Sequence, residues 1–423
     1  MTKTKGFCIK KSLLPFIYIL TGATQLPLQS MDNNHFYRAS NFWGEPRFEK
    51  KLLTSIDITT AGGWSHHGLD AHGNRRCLLE TWGLHNIHEL ARGVPGLAAD
   101  DPLKQLSALP VTGCLGQISL GGEFEITEAQ LSWQQNFTHG FFSHLHVPIR
   151  SLRISDVCLT DCTSTPTSQT PVLWQEIRNS FFPLMRLYGL CVGPEKSIGF
   201  GDTSALIGWT TNYENTKTID YADFTLKTGV LFPTGKTRND NHPLQLPLGY
   251  NKHWAIPVSA AYALGLFEWF TAGVFGDSLF FFDRTASIRL KTDECQSGLL
   301  KLARGCAKIE RGTLWDLGGY IKIDHAGEAL SLILGYTFAA QEADSICPYD
   351  TSLFEYSIVN SDQYYHGWNM HTLHLGAEYD LSAEKQRFGP RLGLFYNAVL
   401  SGKRVFTTGM IGGSLGMDIQ WKW

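Results

Sequence analysis

The sequence predicts an all-β protein, a transmembrane antiparallel up-and-down β-barrel of about 12–14 strands with long loops and one short helix. Three observations carry that prediction. Apolar and polar residues alternate at period two in segment after segment, so successive side chains fall on opposite faces of extended strands. The composition joins 12% aromatic residues and 42 glycines to only 18% charged residues, below the roughly 25% of ordinary soluble domains. A mean hydropathy of −0.12 is nevertheless too polar for a bundle of membrane helices. Finally, the N-terminus reads as an export segment. With Lys+Arg at 36 against Asp+Glu at 39, the chain has no basic excess to hold nucleic acid.

The export segment comes first. Lys3, Lys5, Lys10 and Lys11 precede an uncharged stretch from Ser12 to Ala23, too short for the about 20 residues of a spanning helix. Residues 1–23 are therefore expected to be a signal peptide cleaved near Ala23, followed by a lead-in over 24–51 and a barrel over 52–423. The first 23 residues hold four of the 36 basic and none of the 39 acidic residues, so the remainder carries a formal charge of −7. It also keeps eight of the nine cysteines, in a compartment where disulfides persist.

Weak alternation marks strands at 52–60, 129–138, 141–157, 199–213 and 389–400, and the window 76–84 is ambiguous. Over 115–127, Ile118, Leu120, Phe124 and Ile126 oppose Gln117, Ser119, Glu123 and Glu125. At 220–232, Phe224, Leu226 and Val230 oppose Asp223, Thr225 and Lys227. From Trp254 to Gly276 only Glu268 is charged, yet large and small residues take turns at period two and Pro257 would break a helix. This stretch therefore reads as two strands, 254–266 and 268–282. Strands at 313–324, 328–341 and 368–381 follow. The last, 411–423, sets Ile411, Leu415, Met417, Ile419, Trp421 and Trp423 on one face. Trp209, Tyr213, Phe232, Trp254, Trp315, Tyr336, Phe338 and Tyr396 lie near strand ends, where they fit interfacial girdles.

Long loops are expected at 61–113, 159–198, 233–253, 283–312 and 342–367. Trp174, Ile177, Phe181, Leu184, Met185 and Tyr188 recur at helical spacing, so 172–190 reads as a helix packed at the barrel mouth or against the apolar inner wall of 254–282. Cys158 with Cys162, and Cys295 with Cys306, are the expected disulfides. His66, His67, His72, His85 and His88 crowd one loop without a carboxylate or thiol at diagnostic metal spacing. Gly229–Thr237 has five residues, not four, before its Gly-Lys pair, and no helix follows, so it is not a phosphate loop. No nucleophile–base spacing emerges either. The reading is a non-enzyme with no metal and no cofactor.

If apolar faces meet lipid, the opposite faces line a lumen. The expected lining is Glu123, Glu125, Asp223, Lys227, Asp316, Lys322, Asp324, His374, Glu378, Asp380, Arg391, Asp418 and Lys422. Isolated charges in a dry interior would be prohibitive, so the lumen is expected to hold water and, with acids in excess, to favour cations or neutral solutes.

Gly199-Phe200-Gly201-Asp202 opening one strand and Leu231-Phe232-Pro233-Thr234-Gly235 closing the next resemble the outer-membrane barrels of the meta-pathway phenol degradation-like family. The likeness covers about 199–423. It implies a barrel in the outer membrane of a Gram-negative bacterium and transport of small hydrophobic or aromatic compounds. The terminal strand ending on Trp423 resembles the signal read by the barrel-assembly machinery. Three functions follow as alternatives: a porin-like channel for passive diffusion of small solutes, a facilitator for hydrophobic compounds, or a barrel-anchored surface protein whose loops bind a partner.

Overall fold

The computed structural model describes residues 52–110, 114–164, 171–214, 219–267, 269–327, 329–381 and 388–421. The export segment 1–23, the lead-in 24–51, Lys422 and Trp423 lie outside the described residues. Twelve long strands form the wall. The first six are β1 (Leu52–Ser65), β2 (Gln117–Asn136), β3 (Phe141–Asp161), β4 (Thr203–Glu214), β5 (Ile219–Phe232) and β6 (Ala255–Leu266). The others are β7 (Phe270–Phe281), β8 (Leu314–Gly327), β9 (Leu330–Gln341), β10 (Trp368–Asp380), β11 (Phe388–Lys403) and β12 (Gly409–Trp421).

Each strand pairs antiparallel with the next, and β12 returns to pair β1 from Leu52↔Trp421 to Trp64↔Gly409. The sheet is thus a closed barrel, with no row of unpaired backbone groups to expose to lipid. On its outer face the Trp421 indole donates to Thr54 Oγ1 at 2.8 Å, across the closing seam. Two of the expected strands, 115–127 and 129–138, run together as β2. The window 76–84 gives only the short strand Arg75–Cys77 and one 3₁₀ turn, outside the wall. No described helix is long and apolar enough to cross a membrane.

Connections differ at the two ends. At the turn end they are two to seven residues long; at the loop end five of the six exceed twenty. The outer face is apolar: Leu332 and Leu334 are exposed while Ile333 and Thr337 between and beside them are buried. Exposed aromatics rim both ends. Phe141, Tyr213, Trp269, Tyr379, Phe388 and Trp421 ring the turn end, and Trp64, Phe200, Trp254, Phe280 and Trp315 the loop end. Along β7 the rims are eleven residues apart, from Trp269 to Phe280. At ~3.3 Å per residue and a tilt near 40°, that is about 28 Å of height, close to the ~25 Å apolar band of outer-membrane barrels.

Beyond the wall the long loops build a cap. Leu78, Leu79, Trp82 and Leu90 pack with Leu103 and Leu106 of α1 (Pro102–Ser107) and with Trp174, Phe181 and Met185 of α2 (Val172–Asn179) and α3 (Phe181–Leu187). The expected helix over 172–190 is broken at Ser180, because Pro183 lacks the N–H that would bond the Asn179 carbonyl and its ring would clash there. In the first turn of a new helix the same proline costs nothing. These helices do not touch the 254–282 wall as expected; their buried side chains join the cap core, whereas Ala255 and Leu279 belong to a separate cluster. A three-stranded sheet, Arg284–Arg289, Arg304–Glu310 and Ser345–Pro348, forms a second lobe around Phe354 and Val359.

The cap corrects the expected face of β2. Its loop-end half rises above the band, where Phe124 and Ile126 point inward into the cap core and are buried. Glu123 and Glu125 therefore sit on the outer side and do not line the lumen; Glu125 pairs with Arg153 at 3.3 Å in the open. Above lipid, the hydrophobic environment is the inside of the molecule.

The inner wall keeps its bore by laying aromatic rings flat on cross-strand glycines. Phe142 lies on Gly208, Tyr221 on Gly265, Tyr320 on Gly273, Phe275 on Gly318 and Phe395 on Gly412, each pair directly opposite in register. A side chain at Gly318 would strike the Phe275 ring and the Tyr336 carbonyl. Gly318→Val is expected to destabilise the barrel by about 1–3 kcal/mol, as overpacking does. Gly62→Val, whose new atom would meet only the Ile126 carbonyl at 3.6 Å, is expected to be near neutral. Urea unfolding of both variants in detergent, followed by heat-modifiable gel mobility, checks the contrast.

Candidate lumen and its seal

The inner face is layered from the turn end to the loop end. At the turn end, Asp57, Gly416 and Arg391 stand in one row across β1, β12 and β11. Gly416 has no side chain, so the Arg391 guanidinium reaches across it to Asp57 at 3.2 Å and lies 3.3 Å from Asp418. Glu378 approaches at 4.0 Å and Ser55 Oγ accepts at 3.1 Å. On β8 Lys322 pairs with Asp324 at 3.0 Å, and Ser331 donates to the same carboxylate at 2.7 Å. These side chains keep partial solvent access, and Asp380 is exposed. The lining expected at Lys322, Asp324, Glu378, Asp380, Arg391 and Asp418 thus faces the bore.

Deeper in, the lining is polar but dry. Lys227, Ser259, Asp277 and Asp316 form a continuous cross-strand row on β5 to β8. Their exposures are 6, 3, 1 and 2%. His374 is buried between Thr337 Oγ1 at 2.8 Å and the Asn397 side-chain oxygen at 2.9 Å. Arg150 and Glu128 form a buried ion pair. Asp223 faces the bore nearer the turn end. Lys227, Asp316 and His374 are expected from sequence to be wetted by an open pore; in the structure they are packed among other groups of the inner wall, beneath a mouth that is shut.

What shuts it is an apolar collar. Leu231, Ala255, Leu279, Leu314, Ala339, Trp368 and Met370, at the loop ends of their strands, converge on Leu69, Tyr250 and Val405 from three loops. Tyr250 is 2% exposed; its ring lies 5.1 Å from that of Phe281, and the Arg311 guanidinium stacks over both at 5.4 and 5.3 Å. The Asp202 carboxylate anchors the segment, accepting the Gly235 amide at 2.8 Å and the Tyr250 amide at 2.5 Å. Thr234 Oγ1 donates to the Gly201 carbonyl at 2.6 Å. The two short motifs around Gly201-Asp202 and Thr234-Gly235 therefore meet as one latch that holds Tyr250 over the bore. Sequence reasoning noted both motifs and missed what they hold.

The other marked residues fall elsewhere. All eight described cysteines are free thiols. Cys158 and Cys162 are not a local pair: β3 runs through Cys158, and the Cys162 amide still bonds the Gln117 carbonyl of β2. Four residues of extended chain separate them by ~13 Å, beyond the about 7 Å that a disulfide spans. Cys295 sits in a turn whose carbonyl accepts from Asn86, while Cys306 lies on the second cap lobe opposite Ser287. Among the described residues no three potential metal ligands come together. His85 is buried in the cap and His88 bonds Glu89 at 2.8 Å.

Two histidines make the cap pH-sensitive. Burial and the nearby Lys301 hold His85 down to about 3, and burial with Arg311 holds His253 down to about 4. Both are neutral in the closed cap and regain an ordinary value of 6.5 once exposed. The opened form therefore binds more protons below that value, and stability of the cap is complete above it and lost as pH falls toward 4 and then 3. Hydrogen exchange is expected to show amides of 233–253 and 78–90 accelerating between neutral pH and 4 beyond the intrinsic rate change, with β9 and β10 unchanged. His253→Asn is expected to remove part of that acceleration.

No family model matches the chain, and no curated protein sequence matches it. Solved structures do. An outer membrane channel from Pseudomonas putida F1 aligns over 90% of this chain and 100% of its own, at 11% identity and a TM-score of 0.47. The toluene transporter TodX of Pseudomonas putida aligns over 88% of this chain and 90% of its own, at 10% identity and a TM-score of 0.28. The NanC porin aligns over 70% of this chain and 94% of its own, at 8% identity and a TM-score of 0.29.

Proposed function

We propose that this chain is an outer-membrane channel of porin type, through which small solutes diffuse passively along a polar lumen. One observation carries the reading: a closed barrel has an apolar, aromatic-rimmed outside about as tall as a bilayer core and an inside of ion pairs and hydrogen-bonded polar groups. Short turns would face the periplasm and the cap the exterior, and β12 would carry the signal for the barrel-assembly machinery. The inner-face acids expected from sequence lose Glu123 and Glu125 but gain Asp57, Glu128 and Asp277, against Arg150, Lys227, Lys322 and Arg391. This excess favours cations or neutral solutes.

The closed collar favours a second reading, a facilitator for small hydrophobic compounds. A solute passing from the cap into the bore would cross a layer of Leu231, Leu279, Leu314, Trp368 and Met370. Aromatic substrates, as the family resemblance implies, would cross that layer more readily than sugars.

Planar-bilayer recording and liposome swelling separate these readings. Wild-type protein is expected to conduct weakly, and Tyr250→Ala to raise conductance several-fold by unseating the collar. Sugar-driven swelling in that variant supports the porin reading, while uptake of toluene without sugar entry supports the facilitator. Silence in both proteins would leave only a sealed anchor for the cap.

A further inference from the structure

Within the cap, between its second lobe and the mouth loops, lies a cavity of about 190 Å³. Its wall carries Arg238, Arg284, Arg289, Lys301 and Arg311 against only three carboxylates, Asp240, Asp344 and Asp362. Several of these are already committed. Lys301 and Asp362 form a buried pair at 3.1 Å. Arg289 is spent on the carbonyls of Asp240, Lys301, Leu302 and Gly189 and on Asn241. Asp344 accepts the Gly312 amide at 2.9 Å. Asp240 alone stands among four guanidiniums, those of Arg238, Arg304, Arg289 and Arg284.

Arg284 is the group left over. Its Nη1 is buried without a hydrogen-bond partner among the described residues. Burial, with the neighbouring Arg311, outweighs the pull of Asp240 and holds it below the ordinary guanidinium range, so the one carboxylate it shares with three other guanidiniums does not fully offset its burial. Beside it the wall is apolar and aromatic, with Ile288, Leu299, Ile309 and the rings of Tyr364 and Tyr365. The rim opens to solvent at the exposed Ser287.

We propose that this cavity binds a small organic carboxylate, received by the Arg284 fork with its carbon skeleton against the apolar wall. A planar carboxylate matches one guanidinium in two parallel hydrogen bonds and supplies the missing negative charge. The apolar wall distinguishes such an anion from inorganic phosphate. The site lies in the cap and stands whether or not the barrel conducts.

Calorimetric titration of the full chain in detergent tests it, with benzoate, benzyl alcohol and inorganic phosphate as probes at fixed ionic strength. Benzoate is expected to bind at least about tenfold more tightly than either of the others. Arg284→Gln removes that advantage and leaves benzyl alcohol binding unchanged. Arg284→Lys, which keeps the charge and loses the fork, weakens benzoate several-fold and covers the case that Arg284→Gln does not fold, judged by heat-modifiable mobility. Equal affinity for the three probes, or benzoate binding untouched by both variants, overturns the proposal.

Discussion

The pairing of β12 with β1 is the constraint on which the rest of the molecule depends. A bilayer core offers no water to backbone N–H and C=O groups, so an open sheet of this length would leave two unsatisfied edges in lipid. Closing the cylinder removes both. It also fixes an inside and an outside for every strand, because side chains alternate strictly. Leu332 must then face out if Thr337 faces in. The Trp421–Thr54 hydrogen bond at the seam and the aromatic rims follow from the same geometry.

Much of this was legible because alternation is a local property. The ladder β8 to β10 and the boundaries of the 342–367 loop can be read residue by residue, and Pro257 correctly argues two strands where hydropathy alone offers a helix. Alternation does not say how high a strand stands in the membrane. Glu123 and Glu125 have the same local pattern as Asp223 and Lys227, yet face the opposite way, since the cap replaces lipid as the location of apolar contact. That inversion depends on loops folding over the mouth, a contact between residues far apart in sequence.

The seal was hidden for the same reason. Asp202 and Tyr250 are 48 residues apart, and no spacing rule joins an aspartate after a strand to a tyrosine before another. The visible trace was the pair of glycine-bearing motifs. Gly235 and Gly249 leave the room in which the Asp202 carboxylate sits, so their sequence signature records a packing demand. The Cys158–Cys162 pair failed differently: closeness along the chain is no closeness in space when the intervening residues are a strand.

Lipid outside and polar groups inside is the claim that everything else requires. Its most direct test places a spin label at Leu334 or Lys322 in a cysteine-free background, reconstituted in bilayers. The account predicts that relaxation at 334 responds to dissolved oxygen and at 322 to an aqueous nickel chelate. Chelate access at 334, or oxygen-dominated relaxation at 322, would contradict it.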